Sequence, residues 1–269
     1  MAFYGDVFIF DDIPCTEFGL MIYSFGSNSQ SDTAFKNGSL SEDRIATRHD
    51  ALTYGLVQND SLEYTLIFGA NPDSIDAYSH IDRYEVEAIA SWLTGHSTRK
   101  WLTIVQQDMG VFRYKCFISD MTLITYGDLP WAFSCKVNCD SPFAYTAPEE
   151  FEYKVTDGEM VVNLFNRSSR HGYYYPKMEI TMDAGDELSI INASDNNREF
   201  KFKEVSYSKP LTIAMDNQNQ IITNDLDLNF YKHLDGMKFM RLVRGDNILR
   251  IKGTGTVKFI CEFPVNIGG

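Results

Sequence analysis

Apolar and polar residues alternate along much of this chain, and this two-residue period is typical of β-strands with one buried face. In the clearest run the apolar side chains occupy every second position: Trp131, Phe133, Cys135, Val137 and Cys139. Aromatic residues, which favour strands, number 37 (19 Phe, 15 Tyr and 3 Trp). The sequence therefore predicts a mainly β fold.

A β-hairpin is predicted between residues 112 and 139. The apolar side chains fall on even-numbered positions from 112 to 118 and on odd-numbered positions from Met121 onward. This change of face predicts a bulge near Ser119-Asp120. Residues 126–130 (YGDLP) supply the turn into the second strand. Residues 62–68 form a further alternating run and predict another strand.

One segment instead has the period of an amphipathic helix. Between Ile81 and Leu93 the apolar residues recur at steps of three and four, and the face includes Tyr84, Ala88, Ile89 and Trp92. Gly95 is a suitable residue to end this helix. By contrast, residues 26–50 are rich in small polar residues and predict a long loop or arm, and loops of this length are usually either functional or disordered.

Two prolines, Pro142 and Pro148, mark a candidate domain boundary within residues 141–148. The segment that follows predicts many short strands and no helix. The predicted strands are residues 160–165, 178–182, 188–191, 200–205, 211–215, 248–251 and 257–263. Candidate turns between them are Asp157-Gly158, Asn196-Asn197, Asp216-Asn217, Gly245-Asp246 and Gly253–Gly255. Short strands at this spacing favour a β-sandwich.

Composition excludes several classes of function. The chain has 269 residues, with 24 Lys plus Arg and 37 Asp plus Glu, so its net charge is −13. An acidic chain is a poor general binder of nucleic acid or of anionic membranes. No run approaches the roughly 18 apolar residues of a membrane span. The N-terminus has no positive region followed by an apolar stretch, and five scattered cysteines fit a reducing compartment, so we expect no export.

No motif in the sequence predicts catalysis, a cofactor or a metal. Cys135 and Cys139 lie about 13 Å apart on a strand, which is too far for a disulfide or for one zinc ion. The acidic run 224–229 lacks the glycine and glutamate of a calcium loop and is better interpreted as a solvated turn. The Arg244-Gly245-Asp246 tripeptide fits hairpin chemistry better than adhesion. Paired carboxylates of a hydrolase have no support beyond the abundance of acids.

Tyr173-Tyr174-Tyr175 leaves two interpretations open. The three rings are either a stacking platform for sugars or aromatics at the core and rim of a strand. All three tryptophans lie in the first half of the chain, which argues mildly against sugar binding by the second half.

The order of these features resembles that of siphophage distal tail proteins. The helix ends Ser91-Trp92-Leu93, residues 100–102 read KWL, and the hairpin exits through residues 138–145, NCDSPFAY. Residues 245–251 (GDNILRI) are similar to a late hairpin in the C-terminal domain of that family. Residues 40–47 depart from the family, since many relatives have a Pro-Gly-Arg-(Asp/Glu)-Gly element in this arm.

The resemblance implies a mainly β chain with two domains. Residues 1–145 would be a ring-forming hub domain with one amphipathic helix, and residues 146–269 a galectin-like β-sandwich. The implied function is a structural, non-enzymatic virion protein, assembled in the host cytoplasm at the tail tip. Its implied partners are five further copies in a hexameric ring, the tail tube protein, a tail-associated lysin or tip protein, and a receptor-binding protein. The alternative is a protein that binds host cell-wall polysaccharide through the second domain.

Overall fold

The computed structural model describes residues 6–23, 39–57, 61–73, 80–106 and 110–266. The chain forms two compact units: Met1–Tyr145 with Asn266–Gly269, and Thr146–Val265. We call these the first and the second unit. Both are built mainly from antiparallel strands, and the predicted mainly β fold class is confirmed.

The first unit contains ten strands and one α-helix among its described residues. The strands are β1 (Val7–Phe10), β2 (Ile13–Pro14), β3 (Leu20–Ile22), β4 (Ser39–Asp43), β5 (Leu52–Val57), β6 (Glu63–Ala70), β7 (Lys100–Val105), β8 (Phe112–Tyr126), β9 (Leu129–Cys139) and β10 (Ala144–Thr146). The helix α1 spans Arg83–Thr94, and a 3-10 turn spans Cys15–Phe18.

The main sheet of the first unit curls towards a barrel. Its strand order is β2-β1-β7-β8-β9-β6-β3. The Ile22 N–H at the last strand donates a 2.8 Å hydrogen bond to the carbonyl of Asp6, directly before β1. The two ends of the order therefore lie side by side, and the inward side chains share one aromatic core.

The predicted hairpin is confirmed as β8 and β9. The register shifts between Ser119 and Thr122, where Asp120 has φ 50°, so the parity change in the sequence is a bulge. Gly127 and Asp128, both at positive φ, form the two-residue turn.

The predicted helix is confirmed, but its apolar face was partly misassigned. The Asp82 carboxylate caps the first turn, accepting from the Tyr84 and Glu85 N–H groups, and the Glu85 side chain accepts from the Asp82 N–H. Ile89, Trp92 and Leu93 are buried as expected, whereas Tyr84 is 83% exposed. Trp92 fixes the helix: its ring stacks on Phe18 at 4.7 Å.

The second unit contains seven strands among its described residues. They are β11 (Glu149–Asn166), β12 (Lys177–Asn192), β13 (Arg198–Phe202), β14 (Leu211–Asp216), β15 (Ile221–Asn224), β16 (Gly245–Cys261) and β17 (Pro264–Val265), with 3-10 turns at Tyr231–His233 and Asp235–Met237. The strand order is β11-β16-β12-β14-β15, and β13 also pairs with β12.

Several predicted short strands are halves of longer ones. Residues 178–182 and 188–191 both lie in β12, and residues 248–251 and 257–263 fall largely in β16. The predicted turns Asp157-Gly158, Gly245-Asp246 and Gly253–Gly255 are therefore wrong: the first and last are register irregularities inside strands, and β16 starts at Gly245.

These irregularities bend the sheet of the second unit. Gly158, Gly253 and Gly255 have φ between 83° and 154°, and they lie at neighbouring points of β11 and β16. A Cβ on Gly255 would lie 2.1 Å from the Thr181 carbonyl oxygen, so only glycine fits there. Side chains from both sides of the bend share one core cluster, and the bent sheet closes over it.

Candidate assembly surfaces

The cysteines are packing residues of the hydrophobic cores. All five are free and buried. Burial raises the pKa of Cys135 and of Cys139 to about 12, so both thiols stay protonated at neutral pH. Cys116 lies directly opposite Cys139 across β8 and β9, a pairing that the sequence spacing did not reveal. The interpretation of these cysteines as small apolar residues is confirmed.

The acidic segment at residues 224–229 closes a turn. The Asn224 Oδ1 accepts from the N–H groups of Leu226 and Leu228 at 3.0 and 3.2 Å, and the Asp225 carboxylate accepts from the Thr212 N–H at 2.9 Å. In the part of the chain that the structure describes, no three His, Cys, Asp or Glu side chains come together to hold a metal. The described helices include none that is long and apolar enough to span a membrane.

The three consecutive tyrosines do not form a flat platform. The Arg241 guanidinium covers one face of the Tyr173 ring at 3.5 Å. Tyr174 points into the core, where its ring lies 4.9 Å from that of Phe263 and its hydroxyl accepts from the Glu262 N–H at 2.8 Å. Tyr173 is 39% exposed with Arg241 against its ring, and the interpretation as core and rim aromatics is the one the geometry favours.

Asn247 explains the physical role of the Gly-Asp-Asn sequence. Its side chain is fully buried and its Oδ1 accepts from Asn192 Nδ2 and from the Val243 N–H, each at 2.9 Å. Its Nδ2 donates to the carbonyls of Val243 and Gly245 at 2.8 and 3.0 Å. Asn247 therefore fastens the chain entering β16 to β12. The neighbouring Asp246 accepts from Asn163 Nδ2 at 2.8 Å, within strand pairing.

Part of the polar segment predicted as a loop is a hairpin. Residues 26–38 lie outside the described residues, but β4 and β5 pair as a separate two-stranded sheet, which we call the arm hairpin (residues 39–57). Leu40 is 57% exposed and Tyr54 65% exposed. Two-stranded hairpins are marginally stable alone in water. The arm hairpin therefore lacks a core of its own and is suited to being covered by another chain.

A second exposed surface lies at the turn of the β8–β9 hairpin. Strand β7 pairs with β8 only from Phe112 to Cys116, so the end of the hairpin extends past its neighbour. Leu123, Tyr126 and Leu129 are exposed there. Exposed apolar side chains at the end of a hairpin are typical of an interface.

A third surface lies on the outer face of β11 and β16 in the second unit. Val161, Phe165 and Ile248 are 59%, 57% and 48% exposed. Ile248 lies opposite Asn163, which places it diagonal to both Val161 and Phe165. β11 is an edge strand of 18 residues, and such edges favour pairing or docking with another chain.

Both units match domains of one known protein family. Residues 3–141 match the family described as the phage tail protein N-terminal domain, and residues 143–261 match the phage tail C-terminal domain. The chain therefore belongs to this family of phage tail proteins, and as such it is a component of the virion. No curated protein matches it significantly.

Solved phage structures share the fold over nearly the whole chain. The SPP1 Dit (gp 19.1) protein, described as a paradigm of hub adsorption apparatus in phages that infect Gram-positive bacteria, has a TM-score of 0.64 and 13% identity, over 96% of this chain and 98% of Dit. A chain of the phage P2 baseplate in its activated conformation with Ca has a TM-score of 0.56 and 12% identity, over 97% and 99%. The resemblance to siphophage distal tail proteins is confirmed, and the chain is a hub- or baseplate-like structural protein of a phage tail.

Proposed function

We propose that this protein forms a ring at the distal end of the phage tail. The first unit makes the ring, which is hexameric, and the second unit projects outward. One side of the ring meets the tail tube, and the other meets the tail-associated lysin or tip protein. Its role is structural and non-enzymatic. The observation that carries this proposal is the hub fold extending over 96% of the chain.

The exposed surfaces support this function. The arm hairpin and the end of the β8–β9 hairpin each present exposed apolar side chains on the first unit. A cyclic assembly joins two different surfaces of the same chain, so each copy must carry both halves of the interface. The apolar face of β11 and β16 is a further surface, suited to a receptor-binding protein.

The charge of the chain fits a passage for DNA. A net charge of −13 would keep a lumen from adsorbing the genome as it passes through the ring. This part of the proposal predicts that the lumen is lined by more acids than bases. A tail structure with a strongly basic hub lumen would contradict it.

The test is the mass of the purified protein by light scattering and native mass spectrometry over a range of concentrations. A closed hexamer has six times 30.7 kDa, about 184 kDa. A protein that stays monomeric at every concentration, alone and with the tail tube protein, would contradict the ring. The Tyr126→Ser variant is expected to weaken assembly without loss of fold, because Tyr126 is 81% exposed.

The alternative function, binding of host cell-wall polysaccharide, depends on Tyr173. The partial exposure of its ring, with Arg241 beside it, is the observation that supports this alternative. Sedimentation with purified host walls is expected to fall severalfold for Tyr173→Ala, since a stacked ring contributes about 1 kcal/mol. Absence of wall binding by the wild-type protein would rule out this alternative function.

A further inference from the structure

A polar groove lies on the outward face of the first unit, away from its aromatic core. It has a volume of about 800 Å³, and its lining includes Arg99, Lys115, Phe117, Ser119, Asn138 and Asp140. We call this the basic groove. No motif in the sequence indicates it, because its residues come together only through the pairing of β8 with β9 and the start of β7.

The pleat of β8 builds the floor of the basic groove. Tyr114, Cys116 and Ile118 point into the core, so Lys115, Phe117 and Ser119 alternate outward. Asn138 lies opposite Phe117 in the register and donates to the Ser119 hydroxyl at 2.9 Å. The floor is therefore held in place by strand pairing and by its own hydrogen bond.

The two cations of the basic groove have no direct ion pair within the described part of the chain. Asp140 is the one carboxylate in the lining, and its oxygens accept from the Tyr145 hydroxyl at 3.3 Å. Burial raises the pKa of Asp140, and the Tyr145 hydrogen bond and the charges of Lys115 and Arg99 oppose this rise. Arg99 and Lys115 thus remain available to a second carboxylate.

The wall next to the basic groove has the composition of a binding hot spot. Arg113 lies 4.3 Å from the Trp101 ring centroid, and the Trp101 ring meets the Tyr145 ring edge-on at 5.4 Å. Trp101 pairs with Lys115 across β7 and β8, so this wall continues the groove. Trp, Tyr and Arg are the residues most enriched at the energetic centres of interfaces.

We propose that the basic groove receives the arm hairpin of a second copy of this chain; the inference rests on the proposed ring. Strand β4 of the arm hairpin has the complementary chemistry. It carries Glu42 and Asp43, which are held by hydrogen bonds from Thr53 and Tyr54 at 3.4 and 3.1 Å, and Leu40 is exposed beside them. Leu40 and Glu42 lie on the same face of β4, so a carboxylate opposite Arg99 and Lys115 with Leu40 against Phe117 gives both charge and apolar complementarity.

This pairing also meets the needs of a ring. The basic groove and the arm hairpin are different surfaces of the same unit, so their contact between copies is heterologous, which is the type of contact that a cyclic ring requires. It would cover a hairpin that has no core of its own. DNA fits the groove less well, since two cations beside a carboxylate neutralise few phosphates.

Charge exchange tests the pairing. Arg99→Glu/Lys115→Glu and, separately, Glu42→Lys/Asp43→Lys are each expected to raise the concentration needed for half-assembly by about tenfold or more. Combining all four substitutions is expected to restore assembly towards the wild-type value. Arg170→Glu/Lys177→Glu is the matched control, because both side chains are exposed in the second unit and the charge change is the same. Far-UV circular dichroism checks that every variant is folded.

Disulfide trapping tests the contact independently of ring stability. Single variants Leu40→Cys and Phe117→Cys are mixed and oxidised, and a covalent dimer is expected that neither variant forms as readily alone. The native cysteines are buried and do not compete.

The outcomes separate this inference from the proposed function. A wild-type protein that never assembles overturns both. A wild-type ring that tolerates the groove substitutions, or that the fourfold exchange fails to restore, overturns the pairing alone. A groove variant that assembles normally but loses retention on DNA-cellulose would assign the groove to nucleic acid and overturn the pairing as well.

Discussion

Replacing Asn247 by Ala should unfold the second unit at markedly lower denaturant concentration. Asn247 is fully buried at the start of β16 and makes four hydrogen bonds there. After the substitution the Val243 carbonyl keeps a partner, because Asn166 Nδ2 also donates to it at 3.0 Å. The Val243 N–H and one Asn192 N–H lose the oxygen they shared, and the half-buried Gly245 carbonyl loses the Asn247 Nδ2 that donated to it.

The magnitude follows from those two donors. A buried polar group left without a partner costs about 1–3 kcal/mol, so the expected loss is about 2–6 kcal/mol. This is a large fraction of the roughly 5–15 kcal/mol that stabilises a domain. Asn163→Ala is the matched control on the adjacent strand: its hydrogen bond to Asp246 is exposed, and we expect a loss below about 0.5 kcal/mol.

The positions of the tryptophans allow the unfolding of the two units to be followed separately. All three, Trp92, Trp101 and Trp131, lie in the first unit. Urea unfolding followed by tryptophan fluorescence therefore reports the first unit, and far-UV circular dichroism reports both. In Asn247→Ala the dichroism transition should move to lower urea while the fluorescence transition stays in place. Equal midpoints for Asn247→Ala and Asn163→Ala would refute the claim that this buried amide fastens β16 to β12.

Three further predictions follow from the structure. Trp92→Phe should lower the thermal midpoint of the first unit by the equivalent of about 1–3 kcal/mol, because the Phe10 carbonyl loses the indole N–H that donates to it at 3.1 Å; scanning calorimetry measures this. Above pH 9 the wild-type protein should lose stability more steeply than Cys135→Ala, by about 1.4 kcal/mol per pH unit, as measured from guanidinium midpoints. The sign follows because the unfolded thiol ionises near pH 8.5 whereas the native pKa is about 12, so the native state holds more protons as pH rises. Replacing residues 39–57 by a short Gly-Ser linker should abolish assembly while leaving the dichroism spectrum of both cores intact, because neither core cluster includes these residues; an intact ring in light scattering would contradict the role of the arm hairpin.

The strands of the first unit could be predicted because one face of each is buried and the other is not. The run from Trp131 to Cys139 and the run from residue 62 to 68 both lie over one core, so their alternation follows the pleat directly. The bulge near Ser119 was also predictable, since a parity change has few other causes in a continuous strand.

The errors arise where local signals have two structural meanings. Glycine pairs such as Gly253 and Gly255 indicate a turn, but here the same positive φ values bend a strand that continues for 17 residues. Neighbouring strands on both sides decide between the two, and a single sequence does not contain that information. Tyr84 matches the helical period yet is exposed. The buried residues of helix α1 are Ile89, Trp92 and Leu93, in its C-terminal half, whereas Tyr84 lies in its first turn.

The assembly surfaces were the least predictable part. The arm hairpin could be located as an unusual polar segment, but its pairing as strands was not evident from residues such as Ser39 and Ser41. The basic groove unites Arg99, Lys115 and Asp140, which lie up to 41 positions apart, through sheet register alone. Surfaces of this kind have no sequence period, because no core selects their side chains.

The two units differ in whether their exposed surfaces have a complementary surface on the same chain. In the first unit the exposed acidic strand β4 of the arm hairpin has the basic groove as its counterpart on the same chain, so each copy can bind the next. A linear chain of copies leaves one arm hairpin and one groove unpaired at its ends, whereas a closed ring leaves none; closure is therefore favoured over open intermediates, and partial assemblies should be scarce in native mass spectra. In the second unit the apolar face around Val161 and Phe165 has no such counterpart identified within the described residues. A face of that kind is suited to docking a different protein, in line with the role proposed for the second unit.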